Sequence, residues 1–138
     1  MKIRTLLLCL VLTTTGWSQE PQPKPKNLDW LVRHPVILEL HARHNAERAR
    51  VGLRPLTLDP DMCLAAQRHA TWMSETGWFS HSGLPYRENI FMGVFSAEAA
   101  VNGWIWSPAH HGNMLSGTKA GYGYQYINGR VSWVGVFR

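Results

Sequence analysis

The dipeptide Asn128-Gly129, set between two aromatic-rich runs at 120–127 and 130–137, constrains this chain more than any other feature. Asn and Gly tolerate the positive φ that a two-residue turn demands. The flanks carry Tyr122, Tyr124, Tyr126, Val131, Trp133 and Val136, as half-buried strands do, so the segment reads as a β-hairpin. Everything ahead of it must pack on that hairpin. Val36, Ile37, Leu40 and His44 fall near helical spacing and Gly52 follows as a stop, which predicts a helix over about 36–50. A second helix opens at Asp59-Pro60-Asp61, a cap, a proline at the first helical position and an acid at the positive helix end. Met62, Ala65, Ala66, His69, Ala70 and Met73 trace its apolar face, and Gly77 closes it. His69 on that face reads as a hydrogen-bonded core histidine. A strand is expected at 88–93, then a helix capped by Ser96 with Ala97, Ala100, Val101 and Trp104 inward and Gly103 as a weak point. Pro108 breaks it, and a short helix follows over 109–115. Helices and strands without a strand-helix-strand repeat define an α+β layered domain.

At 138 residues and 45% apolar content, the chain has room for one such domain. Residues 1–18 read as a secretory signal peptide: Lys2 and Arg4, then an apolar run from Leu6 to Leu12 too short to be a transmembrane anchor, then Gly16-Trp17-Ser18. Secretion to the exterior or periplasm follows. Pro21, Pro23 and Pro25 make the next stretch an extended tether, assigned to 19–35, with the folded domain at 36–138. Removing the signal leaves 12 basic against 9 acidic side chains, and Arg33, Arg43, Arg48, Arg50, Arg54 and Arg68 are scattered among acids. That pattern is a solvated face and excludes a dedicated nucleic-acid surface. Only Cys63 remains after processing, inside an apolar pattern. No intramolecular disulfide can form, and the thiol reads as buried packing.

The chemistry concentrates between His81 and His111. His81 lies among Ser80, Ser82 and Gly83 in an expected loop, where its ring is reachable. Glu88 begins the apolar strand Glu88-Asn89-Ile90-Phe91-Met92 and needs a partner, because desolvating a lone carboxylate is costly. His110 and His111 follow Ser107-Pro108 and point about 100° apart, so only one can face a given cleft. Two imidazoles and a carboxylate suit a zinc-like divalent ion with an open water position, or equally a proton-transfer pair. Elsewhere, His41, His44 and Glu47 are helically spaced but lack the His-Glu-x-x-His pattern. No Gly-x-Ser-x-Gly elbow occurs. The mature tryptophans, Trp30, Trp72, Trp78, Trp104, Trp106 and Trp133, read as core and rim packing, with a sugar-stacking platform as the alternative.

Seven motifs then fall in a specific order: His44-Asn45-Ala46-Glu47-Arg48, Pro55-Leu56-Thr57-Leu58-Asp59, Leu64 to Ala70, Phe79-Ser80-His81, Glu88-Asn89-Ile90, Trp104 to Leu115, and Gly121-Tyr122-Gly123-Tyr124. Together they resemble the bacterial branch of the CAP superfamily, the SCP-like domains related to cysteine-rich secretory, antigen-5 and pathogenesis-related class 1 proteins. The resemblance spans about 36–138 and implies a three-layer α-β-α sandwich with a histidine- and glutamate-lined cleft that in some members binds zinc or another divalent ion. His81 matches the first cleft histidine and Glu88 the first cleft glutamate. The second glutamate is replaced by Ser107, and the second histidine falls at Val131, which leaves His110 as the remaining imidazole. The implied cleft is therefore His81, Glu88, Ser107 and His110, with His81, Glu88 and His110 as the metal set. Arg87 stands where a glycine is usual and sets a cation beside Glu88, expected to lower its pKa and compete with a metal. Two functions stay open: a non-catalytic binding module for a small ligand, lipid, peptide or glycan, and a metal-dependent hydrolase using the same cleft.

Overall fold

Residues 27–138 are described by a computed structural model; the expected signal at 1–18 and the prolines of the tether lie outside the described residues. Nine elements follow one another: α1 (Asp29–Val32), α2 (Pro35–Arg50), β1 (Thr57–Leu58), α3 (Pro60–Thr76), β2 (Arg87–Met92), α4 (Ala97–Trp106), α5 (Pro108–Met114), β3 (Lys119–Ile127) and β4 (Arg130–Phe137). The hairpin stands as expected. Asn128 and Gly129 have φ of 51° and 79°, as a two-residue primed turn requires, and β3 pairs antiparallel with β4 from Ala120↔Phe137 to Ile127↔Arg130. The sheet order is β1-β3-β4-β2, with β2 antiparallel to β4 and the two-residue β1 parallel to β3.

Helices cover both faces, which makes the expected three-layer α-β-α sandwich. On one face lies α3, whose Met62, Ala66, Ala70 and Met73 meet Ile90, Val134 and Val136. Its approach is unusually close because Gly121 and Gly123 present bare backbone: a Cβ at Gly123 would sit 2.3 Å from the Ala66 carbonyl carbon. On the other face α2, α4 and α5 cover Tyr122, Trp133 and Phe137 around the fully buried Trp104. Gly103, read as a weak point of α4, is needed there, since a Cβ would lie 2.2 Å from the Phe91 ring.

Two features depart from expectation. The tether ends earlier than residue 35, because Leu28 and Leu31 are buried and α1 packs on α2 and α3. Leucines at i and i+3 supply a small apolar face that the preceding prolines obscure. Also, α2 starts at Pro35, with the His34 ring accepting from the Val36 N–H.

With no disulfide among the described residues, buried polar side chains fasten the loops. Arg48 donates to the carbonyls of Arg54, Met114, Ser116 and Gly117. His44, fully buried, donates from Nε2 to the Met114 carbonyl at 2.7 Å and accepts at Nδ1 from the Tyr122 hydroxyl at 2.8 Å. Burial pushes its pKa down to about 4, so it is neutral. His41 donates instead to the Leu56 carbonyl, and Glu47 takes partners of its own, so the helical trio forms no shared site.

Candidate functional site

The candidate residues come from the loop before β2, the start of β2 and the first turn of α5. Glu88 is buried at the second position of β2, and its carboxylate turns to the loop, where Oε1 accepts from His81 Nδ1 at 2.8 Å and from the Ser82 N–H at 2.9 Å. Its other oxygen, Oε2, is buried without a hydrogen-bond partner. The partner that a strand-borne carboxylate requires is therefore His81, whose side chain is 63% exposed. Because Nδ1 carries the proton given to Glu88, the outward nitrogen of a neutral His81 is Nε2, a lone-pair acceptor. Arg87 does not compete. It is exposed and makes no ion pair with Glu88, since consecutive strand residues point to opposite faces.

An amide relay ties α5 to β2 and so places His110. Asn89 donates to the His110 carbonyl at 2.9 Å, and Asn113 donates to Asn89 Oδ1 at 3.0 Å and to the Glu88 carbonyl at 3.4 Å. His110 lines a hollow of about 260 Å³ with Phe79, Ile90, Phe91 and Met92. Burial, and secondarily the electrostatic influence of the nearby His81 ring, lowers the His110 pKa below the ordinary imidazole value. His111 turns the other way and donates to Glu47 Oε1 at 2.6 Å, while Arg50 bonds both Glu47 oxygens at 2.7 Å. The Arg50 bonds lead in holding the Glu47 carboxyl down at about 2. Of the adjacent histidines, His110 thus lines the hollow, while His111 is taken up by Glu47. Ser107 links α4 to α5, its carbonyl accepting from the His111 N–H at 2.8 Å, and its side chain forms no cap hydrogen bond. Val131 is buried in the core.

His81 and Glu88 are thus joined directly, whereas His110 lines a separate hollow and Ser107 lies in the junction of α4 and α5. Among the described residues, no group of three His, Cys, Asp or Glu side chains is gathered closely enough to hold a metal ion. Sequence reasoning missed the apolar wall of Phe79, Ile90 and Met92 and the Asn89–Asn113 relay. All of these residues lay inside segments already singled out, but as packing or motif positions and not as a wall or a relay. The tryptophans divide between core and surface: Trp104 and Trp133 are buried, whereas Trp30, Trp72, Trp78 and Trp106 are exposed.

An α-β-α sandwich with a histidine-glutamate pair at the head of β2 defines a recognisable class of domain. Residues 41–137 match the family model for CAP, the cysteine-rich secretory protein family, and the chain belongs to that family. Among curated relatives, it is 27% identical over 110 residues to the uncharacterized protein YkwD of Bacillus subtilis, covering 67% of this chain and 43% of that protein. It is 33% identical over 98 residues to the pathogenesis-related protein PR-1 of Medicago truncatula, covering 66% of this chain and 57% of that protein. The chain thus spans about half the length of these relatives. Among solved structures, an outer surface protein of Borrelia burgdorferi superposes with a TM-score of 0.66 at 18% identity, over 72% of this chain and 89% of that one. An extracellular SCP-domain protein of Bacillus anthracis gives 0.60 at 18% identity, over 84% and 45%. These structural likenesses establish the fold. No helix among the described residues is long and apolar enough to cross a membrane.

Proposed function

We propose that this domain is an extracellular, non-catalytic binding module whose cleft holds a small amphipathic ligand by its polar end. The observations that carry this reading are an exposed imidazole oriented by Glu88 and an apolar hollow lined by Phe79, two residues before it in the chain, and by His110. Glu88 fixes the His81 ring through Nδ1 and leaves Nε2 outward for a ligand's hydroxyl or acid proton, while Phe79, Ile90, Phe91 and Met92 offer a wall to its alkyl or aryl part. A binding pocket of this kind needs few polar groups, each held in place. The sequence's signal-like start and the extracellular setting of the Bacillus anthracis relative support placement outside the cell.

A divalent ion such as zinc fits the cleft less well. A catalytic zinc takes three protein ligands, and among the described residues no three His, Cys, Asp or Glu side chains are gathered closely enough to hold one, although Glu88 Oε2 has no hydrogen-bond partner. The hydrolase alternative therefore lacks part of its donor set. Fluorescence titration with 11-(dansylamino)undecanoic acid tests the binding reading. His81→Ala and Phe79→Ala should each raise Kd about tenfold with unchanged circular dichroism, and EDTA should have no effect. Wild-type affinity in both variants would refute it. Chelator-sensitive turnover of p-nitrophenyl octanoate would replace it with the hydrolase.

A further inference from the structure

A second trough runs along the outer face of α3, where Ala65, Arg68, His69 and Trp72 are aligned at helical spacing and the loop bearing Ser82 and Leu84 forms the opposite wall. It measures about 320 Å³ and adjoins a smaller hollow lined by His69, Trp72, His81 and Ser82. Trp72 is its floor. The indole is stacked on the buried His69 ring, with centroids 5.5 Å apart and planes inclined by 13°, and is itself 41% exposed. His69 is fixed in turn by its Nε2–H, which donates to the Ser80 carbonyl at 2.7 Å. A flat aromatic surface is thus held rigid from behind and open in front, an arrangement the core of this domain does not require.

The rim is polar and unspent. Ser82 Oγ accepts from the Leu84 N–H at 3.2 Å, which leaves its own O–H free to donate outward. Arg68 is exposed and makes neither an ion pair nor a hydrogen bond among the described residues, although acids engage Arg43 and Arg50 on α2. It is the one permanently charged side chain lining the trough. An apolar ring face flanked by a hydroxyl donor and a free guanidinium matches a sugar ring that carries a carboxylate. The axial C–H groups of a pyranose pack on an indole, and a guanidinium binds a carboxylate through two parallel N–H bonds.

We infer that the Trp72 trough is a binding site for an acidic saccharide, one uronic acid ring stacking on Trp72 with its carboxylate on Arg68 and a hydroxyl on Ser82. The site meets the His81 cleft at its edge but stands on separate side chains, so either can fail without the other.

Isothermal titration and the Trp72 indole Nε1–H resonance read the outcome, with trigalacturonate and a hyaluronan tetrasaccharide as probes and the methyl-esterified trigalacturonate as the neutral comparison. Wild type should bind at least one acidic probe about tenfold more tightly than the ester, with a shift of that indole signal. Trp72→Ala should abolish binding, Trp72→Phe should retain part of it, and Arg68→Gln should bring acid and ester to equal affinity. Trp106→Ala, which removes an 86% exposed indole elsewhere, should change nothing. Neither acidic probe moving the indole signal would overturn the assignment. So would undiminished binding in Trp72→Ala, or an acid preference that survives in Arg68→Gln.

Discussion

Replacing Gly123 by alanine probes the contact on which the sandwich rests. The added methyl would stand 2.3 Å from the Ala66 carbonyl carbon and 2.4 Å from the Ala66 oxygen and the Gln67 nitrogen, all backbone atoms of α3. Ordinary contact begins near 3.4 Å, so the helix must retreat from the sheet by about 1 Å. A gap of that size forfeits about a quarter to a half of each dispersion contact across it. The whole face from Met62 to Met73 against Ile90, Val134 and Val136 is affected. Overpacking ordinarily costs about 1–3 kcal/mol, and a clash with a rigid helix backbone falls at or above the top of that range, about 3 kcal/mol. Urea unfolding measures it: with a slope of about 2 kcal/mol per molar, the midpoint should fall by about 1.5 M. Gly112→Ala is the control. A Cβ there meets nothing within 4 Å and lies within α5, so that variant should be neutral or gain up to about 1 kcal/mol. A loss below about 1 kcal/mol for Gly123→Ala would refute the close-packing argument.

Trp104→Ala, which empties a fully buried site and removes the Nε1–H bond to the Ile90 carbonyl, should cost about 3–5 kcal/mol in the same assay. A loss under about 1 kcal/mol would contradict its place in the core. His44 has a folded pKa of about 4 against an ordinary 6.5, so the stability it contributes is full above pH 6.5 and declines as pH falls toward 4, by up to about 3 kcal/mol. His44→Gln should flatten that part of a pH–stability curve, and an unchanged slope would count against a neutral buried imidazole. Glu47 acts further down: its carboxyl, held at about 2 against 4.5, contributes stability above pH 4.5 that is lost as pH drops toward 2. The Glu47→Gln curve should therefore converge on wild type in strong acid and separate from it above pH 4.5. The Cys63 thiol, pushed up to about 11 by burial, should resist Ellman's reagent in the native state and react on unfolding, while reductant leaves Tm unchanged. Rapid native labelling would contradict that.

Periodic and turn signals carried most of this fold. Asn128-Gly129, Asp59-Pro60 and Ser96 each act on their own few residues, and the hairpin, α3 and α4 appear where those residues put them. β1 and α1 escaped because each is too short for any period to emerge. In the cleft, His81 and Glu88 were legible because a carboxylate in an apolar strand demands a partner. The Asn89–Asn113 relay was not, since neutral amides cost little at the surface and nothing in a single sequence says which will be buried. Arg87 misled for a related reason: adjacency in sequence sets its charge beside Glu88, but strand geometry sends neighbouring side chains apart.

The placement of β4 has a consequence for how the domain is made. It lies inside the sheet, and every ladder bond of β2 is to it, so β2 has no strand to join until β4 exists. The carbonyls that receive Arg48 and His44 likewise lie 66 to 70 residues downstream in the chain, or six positions away at Arg54. A nascent chain emerging from a ribosome can form its helices early but has no partial sandwich to settle into. The four-stranded sheet can therefore close only once β4 has joined it, and β2, for all its local strand pattern, gains its ladder bonds no sooner than that.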